Sequence, residues 1–322
     1  MLLSGHNYLN LIMKYQIFNF LRIFLALEVV VAHIIPILYQ GIYWPGFLMA
    51  VPAFLAVSGF LVLGSYANNP QIIPFLIKRS LRIFPGLIAS VFLCWLILGS
   101  EYAANSVMIF LTGKFTITEG NIPLWSLIWE LLAYVILIIL WSLGAYKSKV
   151  ALTLLLAISV GLSYYICAEN YHPKYQILSF LPISFLIGNV FFLLRDVTKK
   201  IHFGYSLCFF IFVVIFFSSS YRETLVAPLP VILQAIAVVW LGSSNVPVTT
   251  KSFPDISYGL YIYHYPILIW FSQKSPVMNS MQTLLALAII LPSVSLISWY
   301  FIEKPALNIK KIISGKQIPS SR

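Results

Sequence analysis

The sequence predicts an all-α protein: a polytopic membrane helix bundle of about ten transmembrane helices with both termini cytoplasmic. Three observations lead there. Of the 322 residues, 60% are hydrophobic and only 9% charged, and the mean hydropathy is +0.92, values that fit a membrane-spanning chain and no soluble class. Apolar runs long enough to cross about 30 Å of hydrocarbon recur ten times. The basic residues between those runs fall overwhelmingly on one side.

In order, the runs are 15–38, 46–66, 83–99, 123–143, 150–168, 176–194, 203–219, 224–243, 255–273 and 281–302. The first is too long, and too polar at Arg22, for a cleaved signal peptide. Residues 1–13 read as a leader that the fold does not need, with Met13 as an alternative start. The seventh run is short, and Pro228 and Pro230 interrupt the eighth. An even number of spans puts both termini on one side of the membrane. Lys14, Lys78, Arg79, Arg82, Lys147, Lys149, Arg195, Lys199, Lys200, Lys251, Lys304, Lys310, Lys311, Lys316 and Arg322 fall on that side. Lys114, Lys174, Arg222 and Lys274 fall on the other. Fifteen against four is a strong positive-inside bias, so that side is the cytosol.

The net charge of +11 is therefore mostly topogenic, and no nucleic-acid partner is expected. Cys94, Cys167 and Cys208 sit in or beside apolar runs with no metal-ligand spacing and no disulfide framework. No metal site is expected. With no internal repeat or linker, 1–322 is expected to form a single membrane domain that closes on a basic cytoplasmic tail, 303–322.

Polar residues inside the apolar runs are the candidates for function. Arg22 and His33 lie eleven residues apart in the first run. At about 100° per residue that separation returns both to one helix face. A charge within the bilayer costs about 2.5–3.5 kcal/mol on insertion scales, and a segment that keeps one aligned with an imidazole points to chemistry or transport. Counting rise per residue from the span ends puts Arg22 roughly 12 Å and His33 roughly 28 Å above the cytosolic face. Ser58 falls roughly 18 Å and Glu130 roughly 10 Å below the outer face, with His264 near the midplane. The expected order is a polar ladder, Arg22, Ser58, His264, Glu130, His33, from the cytosolic half outward. Each rung has a plainer reading taken alone: a snorkelling arginine, a packed histidine, a protonated glutamate, and, for Arg79 and Arg82 in KRSLRIFP, membrane anchors. Their joint occurrence is what favours a site.

Six motifs occur in a fixed order along the chain: Arg22-x10-His33, VSGF at 57–60, RSLRIFP at 79–85, LWSLIWE at 124–130, SYGLYIYHYP at 257–266 and FIEKP at 301–305. In these motifs the chain resembles the integral-membrane acyltransferase family 3, the bacterial acyltransferases that decorate surface polysaccharides and related glycans. The resemblance implies roughly ten helices in the bacterial cytoplasmic (inner) membrane. It also implies a donor acyl-CoA, acetyl-CoA in the commonest case, taken from the cytosol as a substrate, with no permanently bound cofactor. The implied acceptor is a hydroxyl of a glycan or a lipid-linked sugar. His33 becomes the essential residue, with Arg22, Arg79 and Arg82 also important. Two features depart from the family pattern. Glu28 stands where the family is usually apolar, about 240° round the helix from Arg22, and the arginine motif is Lys-Arg-x-x-Arg without a longer arginine run.

Moving an acyl group from a thioester to an alcohol needs a base at the hydroxyl and a positive or hydrogen-bonding environment for the developing oxyanion. Histidine, with an unperturbed pKa of about 6.5, suits the base. His33 is assigned that role, with Glu130 as the candidate to fix its tautomer or hold its charged form. Ser58, Tyr258 and His264 are candidates for lining the pore or donating to the oxyanion. Arg79 and Arg82, at i and i+3 by the cytosolic end of the third run, have forked guanidiniums suited to the phosphates of coenzyme A. Intramembrane Arg, His and Glu also build proton-coupled transporters and flippases of sugars or lipid-linked sugars. The missing inverted repeats weigh against that alternative.

Overall fold

The computed structural model describes residues 16–39, 42, 46–114, 119–224, 228–244, 254–274 and 279–313. The expected leader 1–13, with Met13, and the residues Lys14, Lys251, Lys316 and Arg322 lie outside the described residues.

Among the described residues every regular element is helical. The longer ones are α1 (Gln16–Leu38), α2 (Ala50–Asn68), α3 (Ile72–Leu98), α4 (Ser100–Thr112), α5 (Trp125–Ser142), α6 (Lys149–Ala168), α7 (Pro173–Leu193), α8 (Phe203–Thr224), α9 (Pro228–Ser243), α10 (Ser257–Lys274), α11 (Ser280–Ser298) and α12 (Lys304–Ile313). A π-helical turn, Trp299–Glu303, joins α11 to α12.

Among the described residues seven stretches are long and apolar enough to cross a membrane: Gln16–Leu38, Ala50–Asn68, Ile72–Leu98, Ile122–Ser142, Lys149–Ala168, Pro173–Leu193 and Ser280–Ile309. Their outward faces suit hydrocarbon. On α3, for example, Ile88, Phe92, Trp95 and Leu96 all remain exposed. The seventh and eighth predicted spans correspond to shorter apolar stretches, Phe203–Phe216 and Pro228–Ser243. The ninth corresponds to α10, whose tyrosines, serine and histidine lower its apolarity. Every residue of α10 from Ser257 to Leu268 is buried, so this helix meets protein on all sides and needs no lipid-facing stripe.

Two expectations need correcting. Residues 72–82, expected in a cytosolic loop, form the first turns of α3. Pro74 lies in the first turn, where a missing N–H is no loss, and helix-forming residues follow it. Arg79 and Arg82 therefore sit about two to three turns inside α3 and not at its mouth. Residues 100–112, expected in an external loop, form α4. It buries Tyr102, Ala103, Ser106, Ile109 and Phe110 on one face and is about 20 Å long, too short to register as a span. Gly99, at φ +99, makes the turn between α3 and α4, in a backbone region that favours glycine.

The chain divides into two compact units, Met1–Glu28 with Pro45–Ser65 and Ala133–Phe253, and Val29–Trp44 with Tyr66–Leu132 and Pro254–Arg322. In the first unit α2 and α7 meet backbone to backbone. A Cβ on Gly59 would fall on the Phe185 carbonyl oxygen, and one on Gly188 on that of Ala56. Membrane helices gain dispersion contact by such small-residue crossings, because lipid supplies no hydrophobic drive between them. The segment leading into α2 has its N–H groups met by side chains. Phe47 donates to Glu28 Oε2 at 2.8 Å. Met49 donates to Gln234 Oε1 at 2.9 Å, and the Gln234 amide returns a bond to the Met49 carbonyl at 3.0 Å. The unexpected Glu28 thus serves as a remote cap for this segment. Gly46, at φ +77, lets it approach, since a Cβ there would lie 2.9 Å from the carboxylate.

The second unit is built around α10, which packs against α3 and α11. Pro266 lacks an N–H, so the Ile262 carbonyl four residues earlier loses its helical donor. Ser90 Oγ of α3 and Asn121 Nδ2 donate to it instead, at 3.0 Å and 2.8 Å. Asn121 is in turn fixed by α4, its N–H donating to Ser106 Oγ at 2.9 Å. Tyr258 donates to the Ile83 carbonyl at 2.7 Å. Tyr261 donates to the Pro123 carbonyl and accepts from Ser126 Oγ at 2.7 Å.

Candidate active site

His33 of α1 and His264 of α10 stand in direct contact. His33 Nδ1 lies 2.8 Å from the Val29 carbonyl oxygen, and His264 Nδ1 lies 3.1 Å from that of Leu260. A carbonyl can only accept, so each neutral ring carries its proton on Nδ1. His264 Nε2, 3.3 Å from His33 Nδ1, is then a bare acceptor. The His33 Nδ1–H is shared between Val29 and His264, and the His33 Nε2 lone pair is left for a substrate proton. The rings are tilted 44° with centroids 5.1 Å apart. The Tyr265 ring is edge-on to both, at 5.3 Å from His33 and 6.3 Å from His264. His264 is 1% exposed, while His33 is half-buried.

This contact revises the polar ladder, in which Glu130 stood between the two histidines. Counting rise assumes that every span starts on one plane, and α1 and α10 do not. Glu130 lies on α5 one turn beyond Ser126, on the same face, and its carboxylate is within electrostatic range of the Tyr258 and Tyr261 hydroxyls. Tyr258, a candidate oxyanion donor, has its one O–H committed to Ile83. His264, the other ring candidate, has one nitrogen engaged as a donor and the other as an acceptor.

The two arginines of α3 differ. Arg79 stacks over the Phe75 ring one turn earlier, 5.4 Å from its centroid. Arg82 makes an ion pair with Asp255 at 2.6 Å, ahead of α10, and its guanidinium lies 6.0 Å from the centroids of both Tyr258 and Trp299. Asp255 Oδ1 also accepts from Ser257 Oγ at 2.6 Å. Glu303, 2% exposed at the end of the π turn, accepts from Ser298 Oγ at 3.0 Å and acts electrostatically on Arg82. Sequence reasoning quoted the segments holding Asp255 and Glu303 without assigning either. The available signal was a carboxylate at the edge of each of two apolar runs.

In the first unit Arg22 is half-buried on α1 and Ser58 is buried on α2. α1 runs from Gln16 to Leu38. Among the described residues no three His, Cys, Asp or Glu side chains are grouped so as to hold a metal ion.

The profile of the family described as Acyltransferase domain (Acyl_transf_3) matches residues 15–303. Nodulation protein 10 of Rhizobium leguminosarum bv. viciae is 37% identical over 82 residues, which cover 23% of this chain and 22% of that protein. The similarity thus spans less than a quarter of that relative. No solved structure matches the chain. The profile match runs from just ahead of α1 to the end of the π turn and takes in Arg22, His33, Ser58, Arg79, Arg82, Glu130, Tyr258 and His264. The chain belongs to the membrane acyltransferase family 3.

Proposed function

We propose that the protein is a membrane O-acyltransferase. It moves an acyl group, which we take to be acetyl, from cytosolic acyl-CoA to a hydroxyl of a cell-surface glycan or its lipid-linked precursor. The observation that carries this reading is the state of His33. Its Nδ1–H is held by the Val29 carbonyl at 2.8 Å, so Nε2 is the basic nitrogen, and a half-buried position leaves it reachable. On this reading Nε2 takes the acceptor's hydroxyl proton as the oxygen attacks the thioester carbonyl carbon. The C–S bond then breaks, and the thiolate leaves and is reprotonated from His33. Glu130 is the charge we assign to the His33 imidazolium, and Arg22, roughly 16 Å along α1 from His33, serves the reaction from a distance and not as the partner of the oxyanion. Ser58 lines the path. Arg79 and Arg82 hold the donor's phosphates. The ten-span arrangement, with both termini on the cytosolic side of a bacterial inner membrane, lets the donor be taken from the cytosol.

The test is transfer from radiolabelled acetyl-CoA in membranes carrying the wild type or His33→Ala. Label should pass to the glycan or lipid-linked sugar fraction in the wild type. His33→Ala should lower transfer about 10²–10⁴-fold, the range a general base contributes, at unchanged protein level. A His33→Ala protein with near-wild-type transfer removes His33 from the mechanism. Wild-type membranes that neither transfer label nor release free CoA overturn the reading altogether, as would be expected of a transporter.

A further inference from the structure

We infer that His264 is a positioning residue for His33, forming with it an imidazole pair that fixes the base and shares its charge. The inference rests on the reading of His33 as the base. In the resting pair the His33 Nδ1–H is shared between the Val29 carbonyl, 2.8 Å away, and the bare Nε2 of His264, 3.3 Å away. When Nε2 of His33 gains the hydroxyl proton, its ring becomes an imidazolium, and both its N–H bonds are then charge-assisted donors. The Nδ1–H faces two acceptors, the Val29 carbonyl and the His264 nitrogen, and either strengthens as the charge develops. A second imidazole does here, without a fixed charge, what a carboxylate does behind the histidine of a catalytic triad. No extra proton is needed. The one taken from the acceptor hydroxyl ends on the departing thiolate, and His264 returns unchanged.

Three features show that the second ring is built to stay in place. Its Nδ1–H is tied to Leu260 in its own helix, which aims Nε2 away from that backbone and at His33. The helix around it is anchored on both sides, by the bonds from Ser90 and Asn121 to Ile262 and by Tyr263, whose hydroxyl is 3.0 Å from Ser298 Oγ. It is buried, with the Tyr265 ring edge-on to it at 6.3 Å, so a hydrogen bond between the rings is stronger than it would be in water. The plainer alternative is that two histidines satisfy each other in a packed interior and that the pair matters only for stability.

The two accounts separate in purified enzyme. Acetyl-CoA is the probe, released thiol the readout, and thermal unfolding in the same detergent the control for folding. Four variants are needed: His264→Leu, His264→Gln, His33→Ala and the double His33→Ala/His264→Leu. Leucine removes the acceptor, whereas the amide oxygen of glutamine can stand where Nε2 stood. His264→Leu should lower kcat on the order of 10²-fold, short of the roughly 10⁴-fold loss when a triad loses its charged orienting group, with the donor KM unchanged. His264→Gln should recover most of that loss. Once His33 is alanine, the leucine change should have no further effect, because both act through one group. A His264→Leu enzyme with wild-type kcat overturns the inference while leaving His33 as base. So does a kcat loss that persists undiminished in the His33→Ala background. Near-wild-type turnover in His33→Ala alone overturns the assignment of the base itself.

Discussion

Arg82 of α3 and Asp255, two residues ahead of α10, form an ion pair at 2.6 Å, with side chains only 17% and 13% exposed. The pair ties the N-terminal end of α10 to α3. Arg82 already holds a carboxylate of its own chain.

The first prediction is that Asp255→Ala destabilises the protein, because it takes from a confined guanidinium its direct carboxylate partner and leaves it the longer-range charge of Glu303. A hydrogen bond to a charged partner contributes about 1.5–3 kcal/mol, and breaking a fully buried pair costs about 3–5 kcal/mol. Partial exposure puts the expectation near the lower range. Thermal unfolding in detergent measures it, and an unchanged midpoint would mean that the ion pair holds nothing together.

Donor binding supplies the second prediction. If guanidiniums grip phosphate through paired donors, lysine cannot replace them, although it keeps the charge. The double change Arg79→Lys and Arg82→Lys should raise the donor KM by roughly tenfold or more per lost contact and leave the acceptor KM unmoved. The single Arg79→Lys variant, which leaves the Arg82–Asp255 ion pair in place, should also raise the donor KM. An unaltered donor KM in both variants would return the arginines to structural duty.

Topology is the third. With cytosolic termini and ten spans, position 199 is inside and position 114 outside. In a background without Cys94, Cys167 and Cys208, an impermeant thiol reagent added to intact cells should modify Lys114→Cys and spare Lys199→Cys. The reverse pattern would invert the orientation and put the arginines on the wrong side for a cytosolic donor.

Much of this could be read from the residues, for identifiable reasons. α1, α6 and α7 fall within three residues of the predicted runs at each end, because their apolar stretches are long and end in polar or turn residues. α4 escaped because thirteen residues with one buried face are too few for a span and too polar for an apolar run. The π turn at Trp299–Glu303 has no sequence signature comparable to a proline or a glycine. The individual site residues were legible as charges and imidazoles in hydrocarbon. Their pairing was not, because Asp255 reaches Arg82 across 173 positions and His264 reaches His33 across 231. A rise count along single helices carries no information about such partners.

The fourth prediction concerns the α2–α7 crossing. Gly188→Ala would drive a methyl group into the Ala56 carbonyl oxygen, and backbone cannot yield as a flexible side chain would. Overpacking of this kind costs about 1–3 kcal/mol. A lowered unfolding midpoint checks it, and a midpoint equal to the wild type would show that the two helices have room to part.

The Ile262 carbonyl, freed by Pro266 and met by Ser90 and Asn121, gives α10 only one place along its axis. Each other carbonyl of a regular helix is already answered within it, so the donors on Ser90 and Asn121 fit this one oxygen and no neighbour. Sliding α10 by a residue or a turn would leave the oxygen facing apolar side chains, at several kcal/mol for a bare polar group away from water. It would also pull the Tyr258 hydroxyl off Ile83. A piston stroke is thus denied to this helix, which acts as a stator for the helices packed on it.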